Sequence, residues 1–249
     1  MLTEQRHRII LQQLESDGAV SINDLKRMLK SSESTIRRDI NFLHDEGKLN
    51  KVFGGAVARE ADIATTELSV TEKSEVNVPE KMRIARYAAT LVKPREFVYI
   101  DAGTTTEYMA DYLSERDATY VTNAIGLARK LAVSGFKVIL IGGELKGLTE
   151  AVVGTQAIVM LEGMNFNKGF FGTNGISSKR GFTTPDMNEA YVKEMAFNHS
   201  RERFVLADES KFGSISPITF ASLGDAMIIT GKAPQGGFDA LENIVVVDG

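Results

Sequence analysis

The chain has 249 residues, of which 43% are hydrophobic and 25% charged, and its formal net charge is −4. These fractions exclude disordered and fibrous classes, and the length suits one large domain of about 100–200 residues beside a small one. There is no cysteine, and the three histidines, His7, His44 and His199, lie far apart in the sequence, so disulfides, thiolate chemistry and a metal site are not expected.

The opening MLTEQRHRII lacks the basic-then-apolar layout of a signal peptide, and no apolar run approaches the roughly 20 residues that cross a bilayer. A cytoplasmic protein with no membrane partner is expected. Thr3-Glu4 marks a helix start, and Ile9, Ile10, Leu11 and Leu14 supply its apolar face until Gly18. After the short apolar stretch Ala19–Ile22, Asn23 is expected to cap a second helix with Leu25, Met28 and Leu29 inward. Ser31-Ser32 makes a turn, and Ser32 caps a third helix running from Glu33 to about Asp45, closed by Gly47.

At about 100° per residue, Ile36, Ile40 and Leu43 fall on one side of that third helix, with Ser34, Arg37, Arg38 and Asn41 opposite. Arginine can fork onto guanine or clamp a phosphate, asparagine can read adenine, and serine can meet the backbone. Lys48 to Val57 then reads as a β-hairpin wing. Val52 and Val57 suit strands, Gly54 and Gly55 permit a tight turn and close approach to a duplex, and Lys48 and Lys51 suit phosphate. Charge agrees in sign: residues 1–59 hold 10 basic and 8 acidic side chains, against 19 and 25 in the remainder.

Residues 58–78 are polar and aperiodic, and read as a tether or as a rigid arm that transmits a change; the expected division is 1–58, a linker 59–78, and 79–249. Beyond Pro79, apolar bursts alternate with helical stretches such as Glu80–Val92 and Ala124–Val133. Strands are expected at Phe97–Ile100, Thr119–Val121, Lys137–Ile141, Gly169–Phe171, Arg203–Ala207, Ala226–Ile229 and Ile244–Val247. Several are continuously apolar, as strands buried on both faces are, so an α/β fold with a mostly parallel sheet follows.

Ligands in such sheets gather beyond the carboxyl ends of the strands. There the sequence offers Asp101-Ala102-Gly103-Thr104-Thr105-Thr106, Thr122-Asn123, Gly142-Gly143 and Asp208-Glu209-Ser210-Lys211. A glycine and three threonines entering a helix present backbone N–H groups, hydroxyls and the helix dipole to an anion. Lys211 adds charge, and Asp101, Asp208 and Asn123 suit sugar hydroxyls. Neither G-x-G-x-x-G nor a Walker-type motif occurs, which disfavours dinucleotides and nucleoside triphosphates. No cofactor is expected.

The order Ser32 to Ile40, Gly47-Lys48-Leu49 and Gly54-Gly55-Ala56 resembles the head of DeoR-family transcription regulators. This implies a winged helix-turn-helix that binds double-stranded operator DNA through Ser32, Ser34, Thr35, Arg37, Arg38, Asn41, Lys48, Lys51, Gly54 and Gly55. The body segments named above, with Gly172-Thr173-Asn174-Gly175 and Phe212-Gly213, resemble the family's sensor domain, which is similar to ribose-5-phosphate isomerase. The resemblance implies a sugar-phosphate effector held by Lys81, Asp101, Gly103, Thr104, Thr105, Thr106, Thr122, Asn123, Gly142, Gly143, Gly172, Asp208 and Lys211. Lys81 enters through the family run Glu80–Ala85.

Within the family, Gly181–Asp186 and Ser210–Gly213 look most like repressors of fructose-uptake operons, implying fructose 1-phosphate as inducer. Thr149-Glu150-Ala151 and Met160-Leu161-Glu162 are shared with lactose-operon repressors, which answer to tagatose 6-phosphate. An isomerase carrying a DNA-binding head is the rival; it would need a positioned carboxylate base, Asp101 or Asp208, yet the isomerase-like D-G-x-D-E and K-G-x-G-G-A stretches are absent. A regulator of opposite sign, an activator, stays open. Paired half-sites imply a homodimer or a larger assembly.

Overall fold

In the computed structural model, the described residues are 2–17, 19–58, 63–234, 238 and 241–247. Gly18, expected to stop the first helix, and residues 59–62 of the expected linker lie outside them. The chain divides into two units, 1–61 with 234–240 and 62–233 with 241–249. No helix among the described residues is long and apolar enough to cross a membrane.

The first unit runs α1 (Thr3–Asp17), β1 (Ala19–Ser21), α2 (Ile22–Leu29), α3 (Glu33–Asp45), β2 (Leu49–Val52) and β3 (Gly55–Ala58). Its strands form an antiparallel sheet in the order β1-β3-β2. Ser21, rather than Asn23, caps α2: its hydroxyl accepts from the Asp24 amide at 3.1 Å. One extended residue thus ends β1 and starts the helix, which moves the inward stripe to Ile22, Leu25 and Leu29 and leaves Met28 exposed. These side chains close on Ile10, Leu14, Ile36, Ile40, Leu43 and Leu49 in one core.

Asp39 sits on the buried side of α3, between those apolar residues. Arg6 donates to it through Nε at 2.7 Å, and the His7 ring lies 3.1 Å away, so one carboxylate ties α1 to α3. Burial works against the Asp39 charge, but the bonds from Arg6 and His7 outweigh it and hold the carboxyl below its ordinary value.

The second unit runs α4 (Val70–Ser74), α5 (Val78–Thr90), β4 (Phe97–Ile100), α6 (Thr104–Glu107), β5 (Thr119–Thr122), α7 (Ile125–Val133), β6 (Lys137–Leu140), β7 (Glu144–Lys146) and β8 (Ala151–Val153). It continues through α8 (Thr155–Glu162), β9 (Phe166–Gly172), β10 (Gly175–Ser177), β11 (Gly181–Thr184), α9 (Met187–Asn198), β12 (Ser200–Leu206), β13 (Ile218–Ala221), β14 (Met227–Thr230) and β15 (Ile244–Val246). The seven expected strands form one parallel sheet in the order β15-β14-β12-β9-β4-β5-β6. Side chains alternate across it. Val98 and Ile100 pack with Ile84 and Ala88 of α5, while Tyr99 meets Phe166 and Phe171, the latter against Phe197 of α9.

Chain order moves outward one way from β4 through β5 to β6, then returns to β9 on the other side of β4 and moves outward the opposite way. The seam between β4 and β9, registered at Ile100–Phe170, is therefore the point where helical crossovers diverge and a crevice opens. Two smaller antiparallel groups, β10-β11-β13 and β7-β8, stand apart from the main sheet.

Residues 63–78, expected as part of a tether or a rigid arm, strap onto the second unit. The Ala64 amide donates to Ile215 at 2.8 Å, Val70 to Leu148 at 3.1 Å, and the Asn77 side chain to Asp208 at 2.8 Å. A reciprocal Ser69–Glu72 cap stabilises the short α4, and Lys146 holds Glu67. The segment shows no period because it is extended chain around about one helical turn.

Asp39→Ala should destabilise the first unit by about 3 kcal/mol, because it removes the buried carboxylate that Arg6 and His7 hold between α1 and α3. Faster amide exchange in α1 and α3, with α9 unchanged, is the expected readout. Since the folded carboxyl titrates low, its contribution is complete above the unfolded value of about 3.9 and disappears as the pH falls through the lower folded value.

Candidate DNA-reading face and effector cavity

Ser32 caps α3, its hydroxyl accepting from the Thr35 amide at 3.2 Å, and also meets the hydroxyls of Ser34 at 2.9 Å and Thr35 at 2.8 Å. Ser34, Arg37, Arg38 and Asn41 are all exposed, as their spacing requires. They differ in readiness. Arg37 is occupied by Glu33 at 2.8 Å, whereas Arg38 has no carboxylate partner among the described residues. Asn41 accepts from Lys51 of the wing at 2.8 Å, so α3 and β2 carry one joined polar surface. Lys48 is also exposed.

The wing glycines divide their labour. Gly54 has φ +83° and makes the turn, with fully exposed Phe53 beside it. Gly55 is buried, and a Cβ there would meet the Val20 carbonyl oxygen at 2.0 Å. It lets β3 cross β1 and is not available to a duplex.

In the second unit, the loop after β4 is held from behind. Thr106 donates through its hydroxyl to the carbonyls of Asp101 at 2.7 Å and Gly103 at 2.8 Å, and the Asn123 side chain accepts from the Ala102 amide at 2.8 Å. Asp101 accepts from the Gly172 amide at 3.0 Å and from Lys193 of α9, bridging the seam. The crevice in front is a cavity of about 180 Å³. Of the expected residues, Lys81, Gly103, Thr104, Thr105, Gly172 and Lys211 line it.

The others do not. Asp101, Thr106, Thr122, Asn123 and Asp208 are buried in the supporting wall, bonded to the chain they position. Gly142 and Gly143 are exposed where β6 passes into β7, which carries the chain out of the crevice. The structure adds Lys73 from the strap, Thr149 from the β7–β8 connection, and Glu189 with Lys193 from α9. Helical spacing pairs Glu189 and Lys193 on one face, a pattern that in sequence does not differ from ordinary helix charge.

Electrostatics favour an anion at the threonine end. Lys81 donates to Thr104 at 3.1 Å and to the Lys73 carbonyl. Burial pushes the Lys81 ammonium below the usual lysine range, against the pull of Asp208. Burial lowers Lys73 in the same way, against Glu67 and Glu189. Asp208 stays charged: burial opposes ionisation, but Lys211, Ser210 and Asn77 together lower its pKa. With α6 only one turn long, the seat depends on loop amides, hydroxyls and lysines more than on a helix dipole.

Residues 6–61 match the profile of the DeoR-like helix-turn-helix domain, and residues 76–232 that of the DeoR C terminal sensor domain. The chain belongs to the DeoR family. DeoR-family relatives include an uncharacterized HTH-type transcriptional regulator FruR of Bacillus subtilis, 41% identical over 99% of this chain and 98% of the relative. A lactose phosphotransferase system repressor of Staphylococcus aureus is 34% identical over 84% and 83%. The HTH-type transcriptional regulator IolR of Bacillus subtilis is 33% identical over 83% and 82%. Among solved structures, ribose 5-phosphate isomerase A of Neisseria gonorrhoeae gives a TM-score of 0.41 at 16% identity, covering 59% of this chain and 56% of that one. That partial likeness carries no functional weight. Membership of the DeoR family makes the chain a DNA-binding transcription regulator with a sensor domain.

A phosphate monoester gains its second charge near about pH 6, and a cavity that takes one through Lys81 must keep that ammonium protonated. Affinity for such an anion should therefore rise through about pH 6 and fall again below the ordinary lysine value of about 10.4. Titration calorimetry across that range checks it; an alkaline limb no lower than that of a free lysine would contradict the buried Lys81.

Proposed function

We propose that this DeoR-family regulator represses a sugar-utilisation operon and leaves its operator when a phosphorylated sugar, fructose 1-phosphate foremost, fills the cavity. One observation carries the reading: Lys81 and Lys211 face the crevice beside Gly103–Thr105, and neither has a carboxylate within ion-pair distance among the described residues. Asp208 attracts both from beyond that distance, and a phosphoryl group supplies the direct countercharge. The resemblance of Gly181–Asp186 and Ser210–Gly213 to fructose-operon repressors, and relatives named as FruR and as lactose phosphotransferase repressors, support a sugar of this class.

Release requires that the effector bind one arrangement of the regulator better than another, since equal affinity shifts nothing. The strap is the natural carrier of that difference, because Lys73 and Leu68 line the cavity and the segment continues through residues 59–62 into the first unit. Binding rather than turnover is favoured by the placement of Asp101 and Asp208. Each carboxylate has one oxygen bonded in the wall and the other enclosed without a partner, and neither residue lines the cavity, so neither meets a ligand there as a proton-abstracting base. We further propose a homodimer that reads paired half-sites; a monomer by light scattering on operator DNA counts against it.

Arg38→Ala should weaken operator binding by about 1–3 kcal/mol and leave effector affinity unchanged. Anisotropy titration of a labelled duplex measures the first quantity and calorimetry the second. Lys211→Ala should leave operator affinity intact while raising the effector midpoint about tenfold, equivalent to about 1.4 kcal/mol. A thermal-shift comparison of fructose 1-phosphate, fructose 6-phosphate and tagatose 6-phosphate ranks the inducers by mass action. If none raises the melting temperature or loosens the operator complex, the reading is wrong.

A further inference from the structure

We infer that Glu189, supported by Thr149, is the hydroxyl-reading end of the effector cavity and rejects a second phosphoryl group, so that the sensor selects sugar monophosphates over bisphosphates. The inference rests on the cavity being the sugar-phosphate site and assigns the end of it opposite in character to the threonine seat.

Charge is distributed unevenly around the cavity. Four lysines line it, but Lys193 is paired with Asp101, and Lys73 has Glu67 at 3.5 Å. Lys81 and Lys211 have no contact ion pair among the described residues and share the more distant charge of Asp208, with Lys81 3.1 Å from the Thr104 hydroxyl. That end takes one phosphoryl group. Glu189 is the one carboxylate among the described residues lining the cavity, and it is buried. Its Oε1 accepts from Lys146 at 3.2 Å and from the Thr149 hydroxyl, while Oε2 has no hydrogen-bond partner among the described residues.

An unpartnered carboxylate oxygen on a largely buried side chain binds a hydroxyl strongly, because the bond is charge-assisted. The same carboxylate repels a phosphoryl group, because Lys146 and Lys73 face three carboxylates, Glu67, Asp186 and Glu189, and leave that corner net negative. Lys193 completes the arrangement. Its ammonium has three donors, of which Asp101 takes one and the Gly172 carbonyl, at 3.4 Å, takes another weakly. It therefore offers a donor to a sugar oxygen while its charge stays neutralised. Both residues are set by the cap of α9, where the Asp186 side chain accepts from the Glu189 amide at 2.9 Å.

The test is calorimetry on the full-length protein with three probes, inorganic phosphate, fructose 1-phosphate and fructose 1,6-bisphosphate, against the parent, Glu189→Gln and Thr149→Val. The parent should bind the monophosphate about tenfold or more tighter than the bisphosphate. Glu189→Gln should shrink that ratio at least about fivefold, with inorganic phosphate affinity held within about twofold. Thr149→Val, which keeps the carboxylate but releases its orientation, should weaken the monophosphate several-fold and still reject the bisphosphate. It serves as the arbiter if Glu189→Gln fails to fold, as judged by its ligand-free melting temperature. Equal parent affinity for mono- and bisphosphate overturns the inference, as does a folded Glu189→Gln with an unchanged ratio or a Thr149→Val with unchanged monophosphate affinity. Absence of binding by both inorganic phosphate and the monophosphate is a different result, which removes the cavity as a phosphate site altogether.

Discussion

The sensor unit depends on a carboxylate and an ammonium buried together where the strand order reverses. Asp101 ends β4, Lys193 comes from α9, and the Gly172 amide of β9 shares the same carboxylate. Burial pushes Asp101 above the usual carboxylate range against the attraction of Lys193. Taking such a pair from water is costly, so its value lies less in net stability than in fixing geometry. It closes the seam between the two diverging halves of the sheet, and it leaves the loop Gly103–Thr105 standing in front of a wall that cannot easily move.

Seen from that wall, the cavity has a back and a front built from different residue classes. Behind are Thr106 and Asn123, whose bonds are spent on the backbone, and Asp208, which holds Asn77 and Ser210. In front are lysines with donors to spare and a single buried carboxylate. The first class supplies shape and the second supplies affinity and choice. A ligand pocket with a few convergent polar groups on a rigid scaffold is the general form of small-molecule recognition.

Much of this was legible in the sequence, for physical reasons. Strands buried on both faces are continuously apolar, so all seven members of the parallel sheet could be read from their bursts. The short antiparallel groups could not, because stretches such as Glu144–Lys146 or Gly181–Thr184 have too few residues to show a period. The carboxyl-end rule located the crevice, but it does not say whether a polar residue there faces the ligand or the wall. Thr104 and Asn123 have equal claims in sequence and opposite fates in space. Glu189 and Lys193 were invisible for the converse reason: charges one turn apart on a helix are the commonest of surface features, and only the packing of α9 against the sheet turns them inward. In the first unit, the i, i+4 spacing gave the exposed face of α3, while the burial of Gly55 and Asp39 depended on tertiary contacts that no local pattern encodes.

The strap bears on how regulators of this kind can be recombined. Because Leu68, Val70, Lys73 and Val76 line the cavity proposed to hold the effector, a chimera joined beyond Leu68 would import a foreign piece of that cavity together with the new operator preference. Junctions before Leu68 exchange the one without the other. Evolution of new regulons by gene fusion faces the same boundary, and the address read on the chromosome can drift independently of the metabolite sensed only when the crossover falls there.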